Sequence, residues 1–121
     1  MCDTLGNPLH FIVTAGQRHD APQAIPLIEW VAFENLLADK GYDSDDIRDY
    51  VAGQNAESHI PPRDNRLEER PCDEDLYKER HKIENMFGFL KHYRRIFARF
   101  DKLKRNFTAF LHFVAALQWL K

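Results

Sequence analysis

Cysteine is scarce in this chain of 121 residues: Cys2 and Cys72 stand far apart and form no CxxC pair. Two such cysteines make no disulfide framework, and a reducing, cytoplasmic setting is the simplest reading. Long apolar runs are missing as well. The longest near the end is Phe113–Leu117, far short of the roughly 18 residues that a membrane-crossing helix needs. The start of the chain has no basic segment followed by an apolar stretch, so no secretory signal is visible. There is no glycine-rich phosphate loop and no nucleophile elbow. The six histidines, His10, His19, His59, His81, His92 and His112, show no paired ligand spacing, so a zinc site is not expected. Internal repeats and low-complexity tracts are also lacking.

What is present is an ordinary soluble composition, 44% hydrophobic and 30% charged, at a length that suits one domain over residues 1–121. The net charge of −2 hides a division. Residues 1–79 carry seven Lys/Arg against 17 Asp/Glu, whereas residues 80–105 carry nine Lys/Arg against only Glu84 and Asp101. Such segregation can orient a chain on a polyanion through residues 80–105; a merely solvated helix face is the plain alternative.

Gly6-Asn7 signals a hairpin turn, followed by a strand over Pro8–Ala15 rich in Phe, Ile, Val and Thr. Only Met1–Leu5 precede the turn, barely a partner strand. Asp20 is a candidate cap for a helix from Ala21 to about Trp30, with Ala24, Leu27, Ile28 and Val31 on one face and Pro26 awkwardly placed. Glu34–Asp39 reads as a short buried strand, and Gly41 permits a sharp turn after it. Asp43 is a candidate N-cap for a helix over Ser44–Ala52, with Gly53 just past its end. Ala56–Ile60 reads as another strand and Arg63–Pro71 as a loop. A long helix is expected from about Asp73 to about Arg99, with Leu76, Ile83, Phe87, Leu90 and Phe97 on its apolar stripe. A final helix, about Asn106 to Leu120, buries Phe107, Phe110, Leu111, Val114 and Leu117. Strand–helix–strand–helix–strand order implies α/β architecture with parallel strands. Chemistry in such sheets gathers at the carboxyl ends of strands, where Asp39 falls.

Beside the apolar stripe of the long helix runs a polar one. Tyr77, Arg80, Glu84 and Lys91 fall within roughly 60° of one another at 100° per residue. On an isolated helix such a carboxylate among cations is commonly an ion pair worth about 0.2–0.5 kcal/mol.

The spacing, however, matches Tyr-x2-Arg-x3-Glu-x6-Lys at all four positions, and Ala38-Asp39-Lys40-Gly41-Tyr42-Asp43 supplies a second characteristic context. On these residues the sequence resembles the bacterial insertion-sequence transposases of the DDE type. Asp3-Thr-Leu-Gly-Asn-Pro-Leu9, Thr14-Ala-Gly-Gln17, His19-Asp20, Arg94-Arg95, Phe100-Asp101-Lys102 and the aromatic final helix extend the likeness over essentially the whole chain. The resemblance implies a ribonuclease H-like fold and metal-dependent cleavage and strand transfer of phosphodiesters at transposon ends. It implies that Asp39 and Glu84 are the second and third catalytic carboxylates, sharing two Mg²⁺ (or Mn²⁺) ions with a first Asp. It further implies that Arg80 and Lys91 contact transposon-end DNA or order Glu84, and that Tyr77 assists positioning. Arg94, Arg95 and Arg99 complete the expected DNA-binding set, and localisation follows as cytoplasmic, associated with the nucleoid when DNA is bound.

The family's first Asp sits on an earlier strand, and Asp3 does not correspond to it. The expected fold is therefore a partial one that lacks the first strands, and the chain reads as the C-terminal part of a transposase catalytic domain. It would be a downstream reading frame needing an upstream segment, a non-catalytic DNA-binding regulator, or an inactive remnant. Double-stranded DNA, the upstream-frame segment and a homo-oligomer are the expected partners, with no membrane. Asp43 is the first candidate for a substitute third carboxylate.

Overall fold

In a computed structural model of the chain, residues 1–14, 19–65, 67, 72–97 and 103–120 are described, Arg95 and Phe97 by their backbone alone. The chain divides into two compact units, Met1–Thr14 with His81–Lys121, and Ala15–Arg80.

The Ala15–Arg80 unit is built on one parallel strand pair. β1 (Asn35–Leu37) lies beside β2 (Glu57–His59), with Asn35 opposite Glu57 and Leu37 opposite His59. Glu57 N–H donates to the Glu34 carbonyl and Ala38 N–H to that of His59, extending the ladder at both ends. The crossover is α2 (Asp45–Gly53), with Asp45 and Asp46 in its first turn, where carboxylates favour the positive end of the helix dipole. Ile47 and Val51, four residues apart, turn inward and are buried along with Ile60.

The boundaries correct three expectations. The N-cap of α2 is Ser44, without a side-chain cap bond, rather than Asp43. Gly53 is still helical, and Asn55, at φ 57°, takes the left-handed position that turns the chain toward β2. Asp20 makes no side-chain cap bond; a 3₁₀ turn, Ala21–Gln23, leads into α1 (Ala24–Ile28), which buries Ala24 and Ile28. Restarting at Ala24 puts Pro26 in the first turn of α1, where a missing N–H costs nothing. The same unit ends with α3 (Glu74–Tyr77), whose cap Asp73 accepts from Leu76 N–H at 3.1 Å, and with a 3₁₀ turn over Lys78–Arg80.

The other unit opens on the expected hairpin turn. Asp3 Oδ1 accepts from Leu5 N–H and Asn7 N–H at 2.9 and 2.8 Å, and Gly6 sits at φ 84°. The strand expected over Pro8–Ala15 does not form among the described residues. Among the described residues one antiparallel bridge closes, Cys2 to Pro8, and the Met1 ammonium donates to the His10 carbonyl at 3.0 Å. Phe11 and Val13 pack instead against Met86, Leu90, Leu111 and Val114, the buried centre of this unit.

Those four residues come from α4 (His81–Lys91) and α6 (Lys104–Trp119), with the short α5 (Arg94–Phe97) between them. Gln118 Nε2 donates to the Gly6 carbonyl at 3.1 Å and Trp119 Nε1 to that of Pro8 at 2.7 Å, fastening the hairpin to α6. The single helix expected over Asp73–Arg99 is thus α3, a 3₁₀ turn, α4 and α5. The inward face of α4 is set by Met86 and Leu90, while Phe87 is 45% exposed. Arg99 and the end of the expected helix lie outside the described residues.

Candidate active site

Asp39 stands two residues beyond β1, at the carboxyl end of the parallel pair, and is exposed. Its backbone is extended and its carboxylate caps a 3₁₀ turn, Lys40–Tyr42. Oδ1 accepts from Gly41 N–H at 2.9 Å, and Oδ2 has no hydrogen bond among the described residues. A Cβ on Gly41 would come within 3.0 Å of that Oδ1, so glycine here is a matter of space beside the carboxylate. Tyr42, half-buried next to this turn, has its phenol pushed up in pKa by burial, then by the negative charges of Asp20 and Asp39. His19, Asp20, Asp39, Lys40, Tyr42 and Arg63 border one open depression.

Around that turn lies a set of contacts that sequence reasoning missed. Asp43 has a fully buried side chain and bridges two arginines. Its Oδ1 accepts from Arg48 Nε at 2.9 Å and its Oδ2 from Arg63 N–H at 2.8 Å. Arg48 Nη2 also donates to the Ile60 carbonyl at 2.6 Å. Arg63 reaches back to the turn, donating from Nη2 to the Gly41 carbonyl at 2.8 Å and from Nε to that of Lys40 at 3.4 Å. Asp43 is therefore a buried structural carboxylate held by cation and amide donors. That corrects its reading as a helix cap, and it does not suit Asp43 to serve as a substitute metal ligand. The pairs are five and twenty residues apart, outside any helical or strand period, which is why pattern reading passes over them.

At the end of β2, buried His59 places Nε2 3.0 Å from Asn35 Oδ1 on β1, while its Nδ1 accepts from Asp73 N–H at 3.4 Å. That leaves Nε2 to donate to Asn35, so the ring pins β1, β2 and the start of α3. Cys72, next to this cap, has its thiol pushed up by burial, which leaves it a poor nucleophile.

Tyr77 ends α3 and Arg80 lies in the 3₁₀ turn, with the guanidinium 5.5 Å from the Tyr77 ring centroid. This cation–π contact brings together two of the motif's four residues. Glu84 and Lys91 are exposed on α4, seven residues and nearly two whole turns apart, so they share one face of that helix. Tyr77 and Arg80 thus lie in one unit, and Glu84 and Lys91 in the other. Arg94 and Arg95 lie on α5; Arg94 is exposed.

The charge division follows the two units. Met1–Thr14 with His81–Lys121 holds nine Lys/Arg against three Asp/Glu, and Ala15–Arg80 holds eight against sixteen. Asp39, Tyr77 and Arg80 belong to the acidic unit, and Glu84, Lys91, Arg94, Arg95 and Arg99 to the basic one. Among the described residues no three metal-ligating side chains gather in one place, and no helix is long and apolar enough to cross a membrane.

Among known proteins, the family described as "Transposase DDE domain" matches residues 1–119. A Brucella ovis protein named "Putative transposase for insertion sequence element IS6501" is 37% identical over 121 residues, covering 98% of this chain and 93% of that protein. No solved structure matches the chain.

Proposed function

The chain belongs to the transposase DDE domain family, and on that footing we propose that it is the C-terminal catalytic portion of a DNA transposase, cleaving and joining phosphodiesters at transposon ends. The parallel β1–α2–β2 unit, with a carboxylate just past β1, fits a partial ribonuclease H-like fold. Asp39 and Glu84 are two of the metal-holding carboxylates, and a third comes from a segment outside this chain.

The donor set fits Mg²⁺ or Mn²⁺, which favour carboxylate oxygen and water. Asp39 offers the arrangement that a metal ligand needs: Oδ1 fixed by the Gly41 amide and Oδ2 without a hydrogen bond among the described residues. When bound, the ions would activate a water or 3′-hydroxyl nucleophile and offset the charge that develops on the phosphodiester. Asp39 and Glu84 hold their share of that charge in place. Arg80 and Lys91 neutralise phosphates on either side of Glu84 in the motif, and the Tyr77 ring steadies the Arg80 guanidinium. Arg94, Arg95 and Arg99 grip the DNA backbone, an interaction driven by counterion release. The partners are double-stranded DNA, the segment that completes the carboxylate set, and a second copy in the assembled complex.

The observation that carries this reading is the exposed, amide-fixed Asp39 at the strand end, combined with the complete four-residue motif around Glu84. The test is nicking of transposon-end DNA with Mg²⁺ or Mn²⁺ by the chain alone and by the chain supplied with its upstream segment. Nicking that needs the upstream segment, and is lost in Asp39→Asn and in Glu84→Gln, is the expected result. DNA binding with no nicking in either form would favour a regulator instead. Robust nicking by the chain alone would require a third carboxylate within it.

A further inference from the structure

We propose that Arg63 is a positioning residue for Asp39, acting through the carbonyls of the turn between them. The inference rests on the reading of Asp39 as a metal ligand. Three hydrogen bonds converge on that turn from outside it. Arg63 Nη2 holds the Gly41 carbonyl at 2.8 Å, Arg63 Nε holds the Lys40 carbonyl at 3.4 Å, and Arg63 N–H holds Asp43 Oδ2 at 2.8 Å. Gly41 is thereby held on both sides of its Cα. The Lys40 carbonyl, in the same peptide group as the Gly41 N–H, accepts from Arg63 Nε, the Gly41 carbonyl accepts from Arg63 Nη2, and the Gly41 N–H donates to Asp39 Oδ1 at 2.9 Å.

The base of the clamp is rigid. Asp43 is buried and tied to Arg48, and Arg48 is tied to the Ile60 carbonyl. The chain runs from Ile60 through Pro61-Pro62 to Arg63, so two consecutive prolines with restricted φ carry the arginine from the buried end of β2 to the turn after β1. A loop that merely closed a surface would not need a cation with two donors aimed at the carbonyls flanking one glycine. Here the fork fixes the two peptide groups that flank the Gly41 Cα, one of which carries the amide that orients Asp39, and pre-set orientation of a ligand is what holding a metal in productive geometry demands.

The division of labour within Arg63 makes the test selective. Its guanidinium clamps the turn, and its backbone N–H satisfies Asp43. Arg63→Ala removes the first and keeps the second, so the buried core stays intact. Two readouts are followed by NMR on the full chain: hydrogen-exchange protection of the Gly41 and Val51 amides, and broadening of the 39–43 amides by added Mn²⁺. Arg63→Ala should lower Gly41 protection by about tenfold, the scale of one or two side-chain hydrogen bonds, and leave Val51 unchanged. Mn²⁺ broadening at Gly41 should weaken with it. Arg63→Lys, with one compact donor group, should fall between wild type and Ala. Asp64→Asn, which removes only the exposed pair with Lys40, should leave Gly41 protection as it is. Unchanged Gly41 protection in Arg63→Ala would overturn the proposal, as would a parallel loss at Val51. Loss of Gly41 protection without any Mn²⁺ broadening when the wild-type chain is supplied with its upstream segment would uphold the clamp while refuting the ligand reading of Asp39.

Discussion

Replacing Arg48 by Met keeps the bulk of the side-chain stem and removes its charge. The change breaks the 2.9 Å pair with Asp43 and the 2.6 Å bond to the Ile60 carbonyl. Asp43, with no exposed side-chain surface, keeps the Arg63 N–H but loses its buried cation. Removing one partner of a buried pair costs about 3–5 kcal/mol, because the other charge stays desolvated. A unit spanning Ala15–Arg80 is stabilised by only about 3–10 kcal/mol at the usual figure per residue, so the loss is a large share of the whole. The assay is urea unfolding followed through exchange of the buried Val51 and Ile60 amides, which report on this unit alone. A loss below about 1 kcal/mol, the range of exposed surface pairs, would refute the claim that Asp43 and Arg48 form the buried base of the turn.

Three further outcomes follow from the same geometry. Tyr42 should titrate above the ordinary tyrosine range, and Asp39→Asn should bring its ring resonances partly back toward that range, with burial holding the rest of the shift. Because the folded-state value is raised, this group's contribution to stability is complete below pH 10 and is lost as pH climbs through the folded value. Gly41→Ala should alter the Asp39 carboxyl resonance while leaving Val51 exchange alone, since the added methyl would sit 3.0 Å from Oδ1 and displace the carboxylate rather than the core. Neutralising Arg94, Arg95 and Arg99 should flatten the salt dependence of duplex DNA binding by about 0.9 in log–log slope for each phosphate that is no longer neutralised; an unchanged slope would mean that these arginines only solvate their surface.

The parallel β1–α2–β2 unit is legible in the sequence because its signals are local: short segments bounded by Gly41, Gly53 and Pro61-Pro62, and acidic residues opening α2. Among the described residues the expected Pro8–Ala15 strand does not form, because a strand is defined by its partner. The composition of Phe11, Ile12 and Val13 says nothing about whether a second ladder exists. The long helix fails for another reason. Hydrophobic spacing continues smoothly through Lys78–Arg80 and does not register a 3₁₀ turn. Asp39 and Glu84 are singled out by motif context, which reports chemistry without geometry. The Asp43–Arg48–Arg63 set escapes a reading of the sequence because a buried ion pair depends on which loops meet, and Arg63 lies in a stretch whose polarity reads as plain loop.

Asp39 and Glu84 are proposed to hold the same divalent ions once the catalytic complex assembles, and metal-directed backbone cleavage tests that proposal. Fe²⁺ replaces Mg²⁺ in the complex of the chain with its upstream segment and transposon-end DNA, and ascorbate with peroxide generates radicals at the bound ion. The account predicts two cuts in this chain, one beside Asp39 and one beside Glu84. Both should be suppressed by excess Mg²⁺, and both should be lost together in either Asp39→Asn or Glu84→Gln. A cut beside Glu84 that persists undiminished in Asp39→Asn would contradict it.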